Sequence, residues 1–340
     1  MKLLVSGGAG FIGSNFVRYW LTHHPEDHVV NVDKLSYAGN LENLRDYEGQ
    51  ENYTFVKADI CDRERMFDLV KEVDAIVHIA AETHVDRSIL DASPFVLSNV
   101  LGTQILLDAA VALGKKRFHH VSTDEVFGSL GPQDPPFSEK TPYDPRNPYS
   151  ATKAAADHLV RSYYHTHELP ITISNCSNNY GPYMFPEKFF PLAIARLREG
   201  KTIPVYGDGQ QRRDWIYVED HCRAIETVLQ KGKIGETYCF GGGGDIANLE
   251  AIRILLRLLD RDESFLEYVK DRPGHDRRYA IDYSKAKREL DWQPIWTLEA
   301  GLRAMIDWYK DHEDWVHRCM DGSYREYYEK NYAHKLVSHV

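Results

Sequence analysis

The sequence predicts an α/β protein in which helices cover both faces of one doubly wound parallel sheet, with a smaller α/β lobe that binds substrate. Short apolar strands alternate with segments of helical apolar spacing from Lys2 through Lys153, and this alternation is typical of parallel sheets. The run 75–81 is continuously apolar, as expected for a parallel strand that is covered on both faces. After residue 175 the chain becomes aromatic and proline-rich, which predicts the second lobe.

Composition is that of a globular protein with a sizeable core. The 340 residues are 43% hydrophobic and 27% charged, and the net charge of −10 argues against a nucleic-acid binder. Five cysteines at wide spacing suit free thiols in a reducing cytoplasm. The apolar run at the amino terminus is too short for a signal peptide, and we expect no segment near the roughly 18 apolar residues of a membrane span. The 16 histidines show no zinc spacing, so we expect no metal.

A glycine-rich loop follows the first strand. Gly7, Gly10 and Gly13 lie between the apolar segment 2–6 and a segment of helical spacing. Glycines there let the backbone approach a pyrophosphate at the start of a helix, which is the arrangement of Rossmann-like folds. Asp33 ends the next strand, where a carboxylate accepts hydrogen bonds from a ribose 2′-hydroxyl and repels a 2′-phosphate. The pattern therefore favours NAD over NADP.

An acid/base cluster is predicted where strand 118–121 ends. Tyr149 and Lys153 fall one turn apart if Pro148 opens a helix, and a nearby cation should bring the phenol pKa closer to neutral. Acidic residues after a strand are usually solvated, and a Tyr and a Lys at this spacing are ordinary surface neighbours. Their conjunction with the glycine loop favours a catalytic site made of five residues: Thr123, Asp124, Glu125, Tyr149 and Lys153.

An arginine-rich segment spans 271–279. Guanidinium groups can hold a diphosphate with paired hydrogen bonds. A charged loop on a solvated surface explains the same residues, so the segment alone does not decide.

These motifs resemble a known group of enzymes. The glycine loop with Tyr149 and Lys153 resembles the extended short-chain dehydrogenase/reductase superfamily. More narrowly, residues 1–310 resemble the dTDP-glucose 4,6-dehydratase family at the segments 80–88, 122–126, 175–182, 186–188, 213–215 and 272–279. The Thr-Asp-Glu triplet is the most specific element, because related epimerases and decarboxylases lack the acidic pair.

The resemblance implies a redox-neutral dehydration of a nucleotide glucose with tightly held NAD. Tyr149 would take the proton of the C4 hydroxyl with help from Lys153, and Thr123 would orient that hydroxyl. Glu125 would remove the C5 proton, and protonated Asp124 would release the C6 hydroxyl as water. Repulsion between two close carboxylates tends to separate their pKa values.

The resemblance also implies binding residues and a partner. The NAD site would comprise Gly7, Gly10, Phe11, Ile12, Gly13, Asp33, Lys34, Ser36, Asp59, Ile60, Ala80, Ala81, Ser98, Tyr149, Lys153 and Asn179. The nucleotide sugar, with dTDP-glucose favoured, would be held by Thr83, Thr123, Asn178, Lys188, Phe189, Pro204, Val205, Tyr206, Arg213, Asn248, Arg272, His275 and Arg278. A homodimer would form on the helices near 95–113 and 150–166. Phe127 stands where the family has tyrosine and Thr83 where it has serine, and neither change touches the proposed proton transfers.

Domain limits and alternatives complete the expectations. We expect an NAD-binding domain at 1–175 plus about 214–245, a nucleotide-sugar lobe at about 176–213 and 246–320, and a tail at 321–340. A UDP-sugar 4,6-dehydratase or a 4-epimerase on the same scaffold is the nearest alternative. An NAD-sensing protein without activity is the alternative from another class, although it would have no use for a general acid and base.

Overall fold

The structure is a computed structural model that describes residues 1–271 and 276–320. A seven-stranded, all-parallel sheet organises it, in the order β3-β2-β1-β4-β5-β6-β10. The strands are β1 Lys2–Ser6, β2 His28–Asp33, β3 Tyr53–Lys57, β4 Ala75–His78, β5 Arg117–Thr123, β6 Ile171–Cys176, β7 Asn178–Tyr180, β8 Ile203–Tyr206, β9 Arg212–Tyr217, β10 Thr237–Phe240, β11 Asp245–Ala247 and β12 Leu266–Val269. The predicted doubly wound α/β fold is confirmed.

Some helices of the described ranges cover both faces of this sheet, and others pack in a smaller lobe. They are α1 Phe11–His23, α2 Arg63–Lys71, α3 Val85–Leu90, α4 Ser93–Phe95, α5 Thr103–Ala112, α6 Pro148–His167, α7 Phe189–Arg198, α8 Val218–Lys231, α9 Asn248–Leu258, α10 Ser284–Leu290, α11 Leu298–Asp311 and α12 Glu313–Cys319. Short 3-10 turns span Leu41–Tyr47, Asp124–Phe127 and Glu263–Phe265, and a π-helical segment spans Val96–Gly102.

Two apolar cores sandwich the parallel sheet. Residues of α2 and α5 form one core with the sheet, and residues of α1 and α8 form the other. Because both faces of the strands are covered, β1 and β4 are apolar almost throughout. The strand order reverses beside β1, and in such sheets ligands bind in the crevice at the carboxyl ends of the strands.

The smaller lobe has its own core. That core contains residues of α7, α9 and α11, together with β8 and β9. A three-stranded sheet, β11-β9-β7, and the parallel pair β12-β8 complete it.

Two strand ends differ from the sequence predictions. The apolar run 75–81 stays extended only to His78, so Ile79 and the alanines after it belong to the loop at the sheet edge. The strand expected at 118–121 continues to Thr123. Thr123 is therefore held in the ladder, paired in register with Cys176 of β6, and does not lie in a loop.

The helix Ser93–Ala112 is more apolar than expected. By length and composition alone it could cross a membrane, and it is the one helix of the described ranges that passes this test, with 56% of its apolar window buried. The expectation that no segment approaches such a length is wrong, because the few polar residues do not offset the many leucines, valines and alanines. Its buried side belongs to the sheet's core, which is the behaviour of a core helix.

Candidate active site

A cavity of about 500 Å³ runs along the carboxyl ends of the parallel strands and continues under the smaller lobe. One half is lined by the glycine loop and the ends of β1, β2 and β4. The other half is lined by residues of α7, β8, β9 and α9. Four of the five predicted acid/base residues, Thr123, Glu125, Tyr149 and Lys153, line this same cavity.

The glycine loop packs against backbone too closely to admit side chains at two of its positions. Gly7 has a φ of +75°, and a Cβ there would come within 2.6 Å of the Ala80 Cα atom. A Cβ on Gly13 would come within 2.1 Å of the Gly7 carbonyl oxygen. Helix α1 begins at Phe11 directly after this turn, so its positive end faces the cavity. The cradle fits the pyrophosphate of a dinucleotide.

Asp33 lies at the end of β2 with its carboxylate on the cavity wall. Its Oδ1 atom accepts a hydrogen bond from the Leu35 N–H at 2.8 Å, and Oδ2 accepts one from the Ala9 N–H at 3.1 Å. Burial raises the pKa of Asp33, although these two donors oppose the shift. The fixed carboxylate suits a free ribose 2′-hydroxyl and disfavours a phosphate at that position.

Lys34 is tied to the same wall. Its Nζ atom donates to the Ser98 hydroxyl at 2.8 Å and lies 3.2 Å from Glu82 Oε1. Of the residues predicted to bind the cofactor, Asp59 is the exception: it does not line the cavity. Its Oδ1 atom accepts from the Cys61 N–H at 2.9 Å and so caps a turn, while its Oδ2 atom lies 4.0 Å from Lys34 Nζ. Its part in cofactor binding stays a prediction.

Thr123 lies on the cavity wall and connects the acidic pair to the sheet. Its hydroxyl accepts a hydrogen bond from the Glu125 N–H at 3.2 Å, which caps the 3-10 turn that starts at Asp124. The same hydroxyl donates to Asp124 Oδ1 at 3.4 Å. The last ladder residue thus fixes the backbone that carries both acids.

The two acids occupy different environments. Glu125 lines the cavity, whereas Asp124 is fully buried behind the wall. Burial, followed by the charges of Glu125 and Asp214, raises the pKa of Asp124 well above its usual value. This shift favours the protonated form of Asp124, in which the group can act as an acid.

Helix α6 presents Tyr149 and Lys153 to the cavity, as predicted from their spacing. Asn147 and Ser150 form a reciprocal capping box around Pro148, so the helix begins where the sequence indicates. Burial and the charge of Glu125 raise the pKa of Tyr149. The prediction that Lys153 brings this pKa down is therefore wrong for the chain by itself, because desolvation dominates.

Most of the residues predicted to bind the sugar nucleotide line the other half of the cavity: Thr83, Asn178, Lys188, Phe189, Pro204, Val205, Tyr206, Arg213 and Asn248. The Arg213 guanidinium stacks over the Tyr279 ring at 4.3 Å and donates to the Asp276 carbonyl at 3.0 Å. Its position is therefore set by the protein before any phosphate arrives.

Arg278 does not line the cavity. Its guanidinium forms a two-pronged pair with Asp245, at 3.0 and 3.1 Å, and Arg212 contacts the same carboxylate. The prediction for Arg278 is corrected, because these contacts hold its guanidinium away from the cavity. Arg272 and His275 lie outside the described residues.

Sequence reasoning missed a group at the sugar end of the cavity. Tyr37, His84 and Glu187 line it. Arg87 stacks over the Tyr37 ring at 3.8 Å, and Glu187 lies 3.3 Å from His84 Nε2 and 3.4 Å from the Arg87 guanidinium. Glu187 lies beside Lys188 in a segment that the resemblance had singled out. Tyr37 follows no motif and could only be found in three dimensions.

Fold and site together define a dinucleotide-dependent enzyme of the short-chain dehydrogenase/reductase type. A glycine cradle, a ribose-facing carboxylate and a Tyr/Lys pair share one cavity with a second, sugar-sized compartment. The family described as GDP-mannose 4,6 dehydratase matches residues 4–305. The chain belongs to that family.

Individual relatives cover nearly the whole chain. A dTDP-glucose 4,6-dehydratase of Shigella flexneri is 49% identical over 98% of this chain and 99% of its own length. The enzyme of the same name from Xanthomonas campestris pv. campestris (strain B100) is 51% identical over 95% of this chain and 97% of its own length. The dTDP-glucose 4,6-dehydratase DesIV of Streptomyces venezuelae, crystallised with NAD, is 46% identical with a TM-score of 0.91, over 94% of this chain and 100% of that one. The resemblance drawn from the motifs is confirmed.

Proposed function

We propose that this protein is an NAD-dependent dTDP-glucose 4,6-dehydratase, which forms dTDP-4-keto-6-deoxyglucose for deoxysugar synthesis. The observation that carries the proposal is the placement of Glu125, with Asp124 behind it, at the same cavity wall as Tyr149 and Lys153. Similarity along almost the full length to enzymes of that name supports it. A protein that only sensed NAD would need neither acid.

NAD fits the first half of the cavity. Gly7, Gly10 and Gly13 line this half beside the start of α1, where a pyrophosphate would bind, and Asp33 would accept hydrogen bonds from the ribose hydroxyls. When bound, NAD supplies a hydride acceptor for C4 of the sugar, returns that hydride to C6, and brings a positive charge in its oxidised form. A positive charge near Tyr149 favours its phenolate and offsets the effect of burial.

The protein's own residues move the protons. Tyr149 takes the proton of the C4 hydroxyl, which Thr123 orients. The resulting ketone acidifies the C5–H bond, and Glu125 removes that proton as general base. Asp124 gives its proton to the C6 hydroxyl, which leaves as water, and Glu125 then returns its proton to C5.

One full cycle leaves Tyr149 with a proton gained and Asp124 with a proton lost. The next cycle therefore requires one proton to pass from the phenol to the carboxylate, directly or through solvent. The Thr123 hydroxyl donates to Asp124 Oδ1 at 3.4 Å and also hydrogen-bonds to Tyr149. Its position supports a short route between the two groups.

The nearest alternatives are a UDP-sugar 4,6-dehydratase and a 4-epimerase. The test is to incubate the purified protein with dTDP-glucose and with UDP-glucose and to follow the alkali-induced near-ultraviolet absorbance of a 4-keto-6-deoxy sugar. We expect the signal with dTDP-glucose and little with UDP-glucose. A stronger signal with UDP-glucose would contradict dTDP-glucose as the preferred substrate. A C4 epimer without that signal would indicate an epimerase. No change in either sugar would contradict catalysis on these substrates.

We also propose that the two cavity halves belong to two lobes, with residues 1–175 plus about 214–245 forming the NAD-binding domain. Residues 176–213 and 246–320 would form the nucleotide-sugar lobe. The separate apolar core of α7, α9 and α11 supports this division. The cysteines of the described ranges are all free, which supports a cytoplasmic location.

A homodimer is the partner that the surface supports. A patch of exposed apolar side chains lies on α3 and on the outer side of the helix Ser93–Ala112: Ile89, Leu90, Val96, Leu97 and Leu101. Such a patch marks a protein–protein contact. Replacing Leu97 with Asp should shift the protein towards monomer in sedimentation, while the same change at the isolated exposed Ile295 should not. An unchanged sedimentation coefficient for Leu97→Asp would contradict this surface.

A further inference from the structure

Two fully buried titratable residues next to Lys153 have no part in the proposed steps. His120 lies on β5, three residues before Thr123, and Asp157 lies one helical turn after Lys153 on α6. Neither side chain is exposed to solvent, and neither lines the cavity. Burying an ionised carboxyl group is costly unless it is paired, so their presence needs a physical explanation.

The groups form a line behind the cavity wall. The Lys153 Nζ atom donates to the Val121 carbonyl at 2.9 Å and lies 3.5 Å from His120 Nε2. The same Nε2 atom lies 3.2 Å from Asp157 Oδ1. The imidazole is thus placed between the ammonium and the carboxylate.

The other carboxylate oxygen is held from two further elements. Asp157 Oδ2 accepts a hydrogen bond from the Tyr143 hydroxyl at 2.7 Å and one from Asn175 Nδ2 at 3.2 Å. The Arg161 guanidinium in turn donates to the Tyr143 hydroxyl at 2.9 Å. These contacts fix the carboxylate and stabilise its charged form.

The protonation of His120 follows from its surroundings. Burial and the charge of Lys153 lower the pKa of His120 to about 4, so the ring is neutral at pH 7 and carries one N–H. Its Nδ1 atom has no hydrogen-bond partner among the described residues. A proton on Nδ1 would be a buried donor without an acceptor, which costs about 1–3 kcal/mol. A proton on Nε2 would face Asp157 Oδ1 at 3.2 Å, whereas a bare Nε2 would accept from the Lys153 ammonium at 3.5 Å.

Asp157 is therefore ionised at neutral pH. Burial opposes ionisation, but the hydrogen bond and charge of His120, the charge of Lys153 and the Tyr143 hydroxyl bring its pKa down to about 2. Burial lowers the pKa of Lys153 to about 8, and Asp157 is the main group that opposes this lowering. The other titratable groups close to the ammonium are Cys176 on β6, His120 on β5, His78 on β4 and Tyr149 on its own helix. Of these four groups and Asp157, only Asp157 carries a negative charge at neutral pH.

We propose that His120 and Asp157 are positioning residues for Lys153: the carboxylate provides the buried counter-charge for the ammonium, and the imidazole sets the distance between them. This role rests on the proposed function, in which Lys153 must stay charged beside Tyr149. Asp157 acts on the phenol only through Lys153.

The test is Asp157→Asn, which keeps the shape of the side chain and removes its charge. In the proposed mechanism Lys153 and Asp124 must both be protonated, so loss of either proton contributes to the alkaline limb of kcat/KM against pH. The Lys153 contribution should move down by about 1–3 pH units when the nearby opposite charge is lost. Tyr143→Phe is the matched control, because it removes one hydrogen bond to the same carboxylate and leaves its charge. Its alkaline limb should move much less. A purely structural pair would lower stability and leave the position of the limb unchanged.

A second measurement requires no turnover. Lysine labelled with carbon-13 at Cε allows the Lys153 ammonium to be titrated by NMR in the protein without substrate, with the signal assigned by its loss in Lys153→Met. We expect a midpoint near 8 in the parent protein and a lower one in Asp157→Asn. His120→Gln, which retains the charge of Asp157, covers the case in which Asp157→Asn does not fold and should shift the midpoint in the same direction by less.

The outcomes separate the two proposals. An unshifted midpoint in the folded Asp157→Asn variant, or in His120→Gln if only that variant folds, would overturn the positioning pair even if the protein dehydrates dTDP-glucose. A shifted midpoint in a protein that forms no product would support the pair and contradict the proposed function.

Discussion

Two fully buried carboxyl groups, Asp124 and Asp157, lie close to the same Tyr149–Lys153 turn and have opposite pKa shifts. The pKa of Asp124 is raised well above its usual value, and that of Asp157 is lowered to about 2. Burial acts on both in the same direction, so the difference comes from their neighbours. Asp124 faces the charges of Glu125 and Asp214, whereas Asp157 is bound by His120, Tyr143 and Asn175.

The comparison shows that one turn of helix α6 lies beside two buried acids, one in position to donate a proton and one that provides a fixed negative charge. At Asp124, burial and the repulsion of neighbouring carboxylates favour the protonated form, whose proton can be given away. At Asp157, hydrogen-bond donors and nearby positive charge hold the anion down to a pH of about 2. Charged partners, and not depth, decide which role a buried acid has.

The largest effect should come from removing the acid or the base on the cavity side. Asp124→Asn and Glu125→Gln should each lower the rate of dehydration about 10²–10⁴-fold, since general acid or base catalysis contributes that much. Oxidation at C4 should survive, so the absorbance of reduced NAD should build up on mixing with dTDP-glucose. The exposed Asp144, paired with Arg146 at the surface, gives the control Asp144→Asn, which should match the parent. Dehydration by Glu125→Gln at the parent rate would show that the base is misassigned.

A somewhat smaller effect should be a difference in the free energy of unfolding between variants of Asp124 and of Asp157. Asp157→Asn leaves Lys153 without its counter-charge and should lower the free energy of unfolding by about 3–5 kcal/mol. Asp124→Asn replaces a protonated carboxyl group by a neutral amide and should cost less than about 1.5 kcal/mol. Urea unfolding of both variants at pH 7 measures the difference. Equal losses would mean that the two carboxyl groups do not differ in charge.

The smallest expected effect is the pH dependence of the stability of the Asp124 and Asp157 variants, which should have opposite signs for the two acids. Because its folded pKa is raised, Asp124 keeps a proton that the unfolded chain has lost above about pH 4, so this group lowers stability as pH rises through that window. The melting temperature of Asp124→Asn relative to the parent should therefore increase from pH 5 to pH 8. Asp157 has a depressed pKa, so its contribution is present above about pH 4 and is lost as the pH falls toward 2. The deficit of Asp157→Asn should shrink in that acidic range, and two parallel melting curves would argue against the opposite shifts.

The sequence predicts those parts of the molecule whose chemistry is local. Strand β1 and the glycine loop could be placed because a glycine turn between a strand and a helix has few other uses. Tyr149 and Lys153 were placed on one helix face because Pro148 and a spacing of four fix it. The Thr-Asp-Glu triplet identified the reaction because few proteins need two acids beside a redox tyrosine.

The remaining features depend on contacts between residues that are distant in the sequence, and motif spacing does not predict such contacts. Arg278 is held by Asp245 of β11, and Asp59 caps its own turn. The pKa of Tyr149 rises because the folded chain excludes water around it. His120 and Asp157 are 37 positions apart and meet only once β5 and α6 pack together, so adjacent histidines in the sequence gave no sign of a functional pair.

The placement of Thr123 inside β5 has a consequence for redesign. A slip of one position in the β5–β6 ladder would turn its hydroxyl to the opposite face of the sheet, so the reacting end of the cavity tolerates little backbone change. Pro204, Val205 and Tyr206 lie on the short β8, in a two-stranded sheet separate from that ladder. An engineer who wishes to exchange the nucleotide while keeping the chemistry should mutate there and leave the end of β5 alone.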